Sequence, residues 1–257
     1  GLVWTVPESG GPEEAGPYPA AVLLSGCDGT RPNLEVLARA LAGAGWLSVI
    51  VDSHGPRGLD RRQAWRLVCA GQLLNGAERA ADIAVALEML RARPDVDADR
   101  LALVGLSHGG WAALDFLALA RRGEVPPLLT AWPGGTGEAD RTGAADGPGA
   151  PPHAGVRAAV LYYPYCGIAA VGGSAALPRE VAYLFQLVRG DRIADETACQ
   201  EVATDLRAAG APVQVTVHDG VTHGFDQRTK SRLSPLDFDP AATARATALT
   251  RDFLARQ

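Results

Sequence analysis

Leu101-Ala102-Leu103-Val104-Gly105-Leu106-Ser107-His108-Gly109-Gly110 is the stretch that decides the fold. Arg100 to Val104 is nearly all apolar, the pattern of a strand buried on both faces in a parallel sheet. It runs into Gly-x-Ser-x-Gly at 105–109, and beyond the serine Trp111, Leu114, Leu117 and Ala118 recur at helical spacing. A serine between glycines at a strand-to-helix junction is the pattern of a nucleophile elbow. There a sharp, strained turn pushes the hydroxyl out at the top of the sheet. Gly105 and Gly109 are expected because a Cβ at either position would collide with the neighbouring strand or helix. With 30 glycines in 257 residues, the five-letter pattern arises easily by chance; its weight comes from the strand before it and the helix behind it.

Outward from the elbow, apolar runs alternate with helical patterns, which implies βαβ units and an α/β fold. We expect a central, mostly parallel sheet of about seven or eight strands flanked by helices. Strands are expected at Leu2–Val6 (an edge), Ala20–Leu24, Leu47–Val51, Val156–Tyr162, Tyr183–Val188 and Val213–Val217. Helices are expected around Leu34–Leu41, stopped by Gly43 and Gly45, over Ala77–Arg91 ahead of Pro94, and around Cys199–Leu206, stopped at Gly210. A terminal helix should start at Asp239 and Pro240, a cap and first position, and carry Leu249 and Phe253. The whole of 1–257 fits one domain with its own core. Its single compositional break, Gly134–Gly155, has seven glycines and three prolines and is expected as a flexible surface insertion.

Composition narrows the function. A net charge of −5 argues against electrostatic nucleic-acid binding, so no nucleic-acid partner is expected. No apolar run approaches the roughly 20 residues that span a bilayer, so no membrane partner is expected either. The chain begins at Gly1, so no signal peptide is available to assign a compartment, and both cytoplasmic and exported locations stay open. Cys27, Cys69, Cys166 and Cys199 form no Cys-x-x-Cys or zinc spacing, and no metal or organic cofactor is expected.

A serine hydroxyl needs a base, and the base needs an orienting carboxylate. When the nucleophile sits on an elbow, these follow in the order Ser, Asp or Glu, His, at the carboxyl ends of strands. His54 lies upstream, His108 is in the elbow, and His153 sits in the Gly/Pro-rich stretch. His218 ends the last strand, whereas His223 lies in the following loop, free to reach the elbow, with Gly224 beside it; His223 is the preferred base. Asp191 is the first acid after the strand 183–188 and is the preferred carboxylate. Asp195 and Glu196 compete but resemble helix-cap and first-turn acids. The oxyanion of a tetrahedral intermediate needs two N–H donors. These are expected from His108 and from Cys27 or Asp28, with Gly26 and Gly29 letting the loop turn inward.

With these residues assembled, the chain resembles the dienelactone hydrolase family of the α/β-hydrolases from about Ala20 to Leu254. Ser25-Gly26-Cys27-Asp28-Gly29 resembles the family's His-Gly-Cys-x-Gly, with Ser25 in place of the His. Val51-Asp52-Ser53-His54-Gly55-Pro56-Arg57-Gly58 is similar to the Asp-Ser-Phe-x-Pro-Arg-Gly run of one bacterial branch. Leu161-Tyr162-Tyr163-Pro164-Tyr165-Cys166 and His223-Gly224-Phe225-Asp226 are also family-like. The branch's Asp-Asp-x-Thr-Pro…Cys segment aligns Asp191 eight residues before Cys199, although Ala194-Asp195 stands where Thr-Pro is usual. The namesake enzymes use a cysteine nucleophile; with Ser107 the full base and orienting acid become more important, and the resemblance supports the dienelactone substrate less than it supports acyl chemistry.

The expectation is therefore hydrolysis of a small ester, lactone or thioester through an acyl-enzyme on Ser107, by a monomer or small homo-oligomer. The alternatives are an acyltransferase or thioesterase step in biosynthesis, and a pseudoenzyme that binds a ligand in the inherited pocket. Arg57, at the carboxyl end of a strand, is a candidate for a substrate anion, and Trp65 and Trp132 are candidate pocket aromatics. Leu59–Gly76 and the Gly/Pro-rich stretch are candidate lids. Topology pairs Cys27 with Cys69 and Cys166 with Cys199 as disulfides if the protein is exported.

Overall fold

The computed structural model describes residues 1–7, 16–134, 150–171, 173–229 and 236–257. Among these, seven strands form one sheet: β1 (Leu2–Thr5), β2 (Tyr18–Leu24), β3 (Leu47–Val51), β4 (Val96–Leu106), β5 (Val156–Tyr162), β6 (Ala182–Val188) and β7 (Val213–His218). Their order is β1-β3-β2-β4-β5-β6-β7, with β1 antiparallel at one edge and every other pairing parallel. The expected α/β architecture is present, with seven strands. Most of the Gly/Pro-rich stretch, 135–149, lies outside the described residues.

Alternation along the strands feeds two cores. On β2 and β4, Val22, Leu24, Leu101 and Leu103 face one side, packed under α3 (Gly76–Arg91), α4 (His108–Arg122) and α5 (Glu196–Ala208). Ala21, Leu23, Ala102 and Val104 face the other, under α1 (Pro32–Ala42) and α6 (Pro240–Leu254). Burial on both faces explains why these strands read as continuous apolar runs. Asn75 and Glu78 close a capping box on α3, and the Asp239 carboxylate caps α6 at the Ala242 N–H. Polar groups fix α6 to the sheet: Tyr162 hydrogen-bonds Thr250 Oγ1 (2.6 Å) and the Ala246 carbonyl (3.0 Å), while Gln186 donates to both.

Two local structures depart from the sequence reading. β4 starts at Val96, because its polar first half, from Asp97 to Arg100, extends past the apolar run and pairs Val96 with Tyr18. The segment 59–76 holds a one-turn helix, α2 (Arg61–Gln63), capped by Asp60, which runs into a wide turn at Ala64–Val68. Its only buried apolar side chains are Ala64, Val68 and Leu74, in a small cluster against Cys27 and Leu59, too few for a helical stripe to show.

A parallel sheet gathers the carboxyl ends of its strands along one edge, where ligands of open α/β sheets bind. The loop 25–29 after β2, Ser107 after β4, Asp191 after β6 and His223 after β7 all lie along it.

Candidate active site

Ser107 sits at φ 53°, ψ −114°, a conformation that L-residues adopt only under constraint from their surroundings. The constraint is visible at its neighbours. A Cβ on Gly105 would lie 2.4 Å from the Gly109 carbonyl oxygen, and one on Gly109 would lie 2.4 Å from that of Leu24. Helix α4 therefore closes against β2 and β4 at van der Waals limits, and the serine between them is forced outward.

The loop after β7 brings His223 to this serine. Its Nε2 is 2.8 Å from Ser107 Oγ, and its Nδ1 is 2.7 Å from Asp191 Oδ2. A carboxylate only accepts, so Nδ1 carries the proton and Nε2 is left to accept from the serine. Both side chains are nearly buried. The other Asp191 oxygen is fixed by the N–H groups of Ile193 (2.8 Å) and Ala194 (3.2 Å). Asp195 instead caps α5 at the Thr197 N–H, and Glu196 pairs with Arg189. His218 is buried in the sheet, bonded to Gln186 and packed on Phe225, and His153 bonds Glu180.

Tyr163 supports the imidazole. It holds φ 35°, its ring centroid lies 4.5 Å from that of His223, and its hydroxyl donates to buried Asp226. Asn33 donates to the second Asp226 oxygen at 2.8 Å. Burial raises the Asp226 carboxyl above its ordinary value, and the Tyr163 and Asn33 bonds partly offset the rise.

The loop after β2 lies against the elbow, where a Cβ on Gly26 would stand 3.8 Å from that of Ser107. Three successive carbonyls of this loop accept hydrogen bonds. Ser25 O takes one from Arg79 (2.9 Å), Gly26 O from the Gly29 N–H (3.3 Å), and Cys27 O from His54 Nε2 (2.9 Å). In a trans peptide the N–H points opposite to its C=O. The N–H groups of Gly26, Cys27 and Asp28 therefore turn away from those donors, and those of Cys27 and His108 meet no acceptor among the described residues. The Cys27–Cys69 disulfide ties this loop to the segment 59–76, and Cys166–Cys199 ties the loop after β5 to α5. Both expected pairings are present.

A cavity of about 480 Å³ opens over Ser107 and His223. Its walls are largely apolar, with Leu34, Trp65, Trp111, Tyr165, Ile193 and Leu236 among them. Trp65, half exposed, brings the segment 59–76 into the wall. Neither of the other substrate candidates reaches the cavity. Arg57 forms a two-bonded pair with Asp82 on α3 (3.0 and 2.8 Å) and donates to Ser53 O. Trp132 packs edge-on against Phe116 in the core. Among the described residues no cluster of His, Cys, Asp or Glu is arranged to hold a metal, and no helix is long and apolar enough to cross a membrane.

The sequence reading passed over Arg79, which is completely buried beside the elbow. The signal was available: Arg79 falls in register with Ile83, Leu87 and Leu90, so a charge stands on the apolar stripe of α3.

A strained serine at the end of a central strand, on a sheet of this order, defines the α/β-hydrolase fold. Residues 149–257 match the dienelactone hydrolase family, and residues 32–124 match the prolyl oligopeptidase family. A Bradyrhizobium protein described as a "Probable 2-oxo-3-(5-oxofuran-2-ylidene)propanoate lactonase" is 29% identical over 104 residues, 40% of this chain and 42% of its own length, so less than half of that relative is matched. The fold is shared with a dienelactone hydrolase-like promiscuous phosphotriesterase from metagenomic libraries (TM-score 0.68, 20% identity, 95% of this chain and 89% of that one). It is shared too with an esterase from the planctomycete Thermogutta terrifontis (TM-score 0.65, 18% identity, 99% and 88%). The chain has the α/β-hydrolase fold, and its C-terminal part is similar to the dienelactone hydrolase family.

Proposed function

We propose that this protein hydrolyses small carboxylic esters, lactones or thioesters with Ser107 as nucleophile, His223 as general base and acid, and Asp191 as orienting carboxylate. The observation that carries the reading is the unbroken relay from Ser107 Oγ to His223 Nε2 (2.8 Å) and from His223 Nδ1 to Asp191 Oδ2 (2.7 Å). Ser107 Oγ attacks the carbonyl carbon while its proton passes to His223 Nε2. The imidazolium so formed is stabilised by Asp191, which keeps its own negative charge. The carbonyl oxygen becomes an oxyanion facing the His108 N–H and an N–H of the Cys27–Asp28 turn. Collapse expels the alcohol or thiol, which takes the proton from His223. Water, deprotonated by the same imidazole, then releases the acid and restores Ser107.

The largely apolar cavity favours substrates whose groups beside the carbonyl are uncharged. The description of the Bradyrhizobium relative as a probable lactonase makes a lactone a natural member of the test panel. Two disulfides among four cysteines favour an oxidising compartment. The test is a panel of p-nitrophenyl esters, thioesters and five-membered lactones. We expect turnover of short apolar members by the wild type and none above background by Ser107→Ala, which should stay folded. Wild-type-like turnover by Ser107→Ala would end this proposal.

A further inference from the structure

Arg79 is completely buried, and among the described residues no carboxylate contacts its guanidinium. An unpaired buried charge is expensive, and where it is retained its hydrogen bonds carry the explanation. These bonds converge on the elbow from behind. Nη1 donates to Ser25 O (2.9 Å) and to His108 Nδ1 (3.1 Å), Nη2 reaches Ser25 Oγ (3.4 Å), and Nε reaches Ser53 Oγ (3.3 Å). One nitrogen thus spans the two halves of the oxyanion site, the loop after β2 and the first residue of α4.

We infer that Arg79 is a positioning residue that aligns the two oxyanion donors, the loop amide at Cys27–Asp28 and the amide of His108, and adds a fixed positive charge behind them. This rests on the proposed role of Ser107. Holding the Ser25 carbonyl backward orients the peptide chain that leads into Gly26 and Cys27. Holding His108 Nδ1 fixes the residue whose N–H follows the nucleophile. Arginine only donates, so it also dictates the His108 tautomer, with Nδ1 bare and the proton on Nε2. His54 completes the arrangement from the same side by pinning the Cys27 carbonyl. Burial lowers the Arg79 guanidinium to about 10, so it keeps its charge at neutral pH. An oxyanion forming in front of these amides therefore meets a charge already in place, whereas a neutral substrate carbonyl gains much less from it.

The test compares wild type, Arg79→Gln and Arg79→Lys on a p-nitrophenyl ester. Two inhibitors are included: an alkyl trifluoromethyl ketone, which adds to the serine as a tetrahedral oxyanion, and the matching methyl ketone. For Arg79→Gln we expect kcat lower by about 100-fold, KM within about threefold, and trifluoromethyl ketone affinity weakened in proportion to kcat/KM. Methyl ketone binding should be unmoved, and Arg79→Lys should recover part of the loss. If Arg79→Gln does not fold, His108→Leu and His108→Asn decide. Loss of the Nδ1 acceptor should lower kcat in the leucine variant, and less so in the asparagine variant, whose carbonyl can take its place. Turnover within about threefold of wild type in Arg79→Gln, or equal weakening of both ketones, overturns the inference. So does equal activity of the two His108 variants. Absence of fluorophosphonate labelling at Ser107 in the wild type would instead mark failure of the underlying reading.

Discussion

Asp191→Asn separates the proposed triad from its nearest rival arrangement, because Asp191 and Asp195 are four residues apart and only one of them touches His223. Asp191 is fixed before it meets the imidazole: Ile193 and Ala194 N–H groups hold Oδ1, leaving Oδ2 for His223 Nδ1 at 2.7 Å. Asparagine is isosteric there. Its carbonyl oxygen satisfies the two backbone donors, so its NH₂ group is turned toward Nδ1. A donor at that position drives the imidazole proton to Nε2, where it faces Ser107 Oγ and the ring can no longer accept the serine proton. The imidazolium also loses its counter-charge. In a serine triad such a change is worth about four decades in kcat, or about 5 kcal/mol of transition-state stabilisation. Asp195→Asn removes a helix cap that asparagine replaces well, so stability should change by less than about 1 kcal/mol and turnover should not change. The assay is initial-rate hydrolysis of p-nitrophenyl butyrate at neutral pH, with thermal melting of each variant. Asp191→Asn turnover within about tenfold of wild type, or a larger loss in Asp195→Asn, refutes the assignment.

Cys166→Ala/Cys199→Ala opens a bridge of sequence separation 33. It should lower unfolding free energy by about 2–4 kcal/mol in a urea titration, and an unchanged midpoint contradicts a stabilising role. Asp115 lies buried on α4, accepting from the Val171 N–H at 2.8 Å, and burial pushes its carboxyl up to about 7. Between about pH 4 and 7 the folded chain therefore holds a proton that the unfolded chain has released, so this group's contribution to stability falls as pH rises through that window. Relative to Asp115→Asn, wild-type stability should decline by up to about 4 kcal/mol from pH 4 to 7 in denaturant titrations; parallel pH profiles would contradict the burial argument. Gly105→Ala places a Cβ 2.4 Å from the Gly109 carbonyl oxygen, a backbone atom that cannot swing aside. It should destabilise by more than about 3 kcal/mol and abolish turnover, and a fully active, stable variant would show that the elbow is looser than its geometry.

The sheet was legible because its central strands are buried on both faces, so β2, β3, β5 and β6 appear as apolar runs bounded by turn residues, while β7, half-buried at the sheet edge, shows as valines alternating with polar residues. β4 was legible only in its apolar half, since its first half carries Asp97, Asp99 and Arg100 and meets β2 through Val96, opposite Tyr18. The geometry around Ser107, His223 and Asp191 was also legible. Residue type, order and position at strand ends narrow the choice before any distance is known, and helix capping removes Asp195. What stayed hidden depends on partners distant in sequence. Arg57 stands where it could meet a ligand, but its guanidinium is taken by Asp82. Trp132 is as apolar as a pocket residue and is spent on Phe116. Arg79 shows in the sequence as a charge on the apolar stripe of α3, but its partners Ser25, Ser53 and His108 are set only by the fold. Tyr163 and Asp226 are 63 residues apart, and nothing local marks them as a pair behind the imidazole.

The most direct test of the account is covalent labelling of the intact chain with a fluorophosphonate, followed by peptide mass spectrometry. One adduct per chain on Ser107 is predicted, absent in Ser107→Ala and strongly slowed in His223→Ala. A folded chain that hydrolyses esters while Ser107 stays unmodified, or that carries its adduct on another residue, would contradict it.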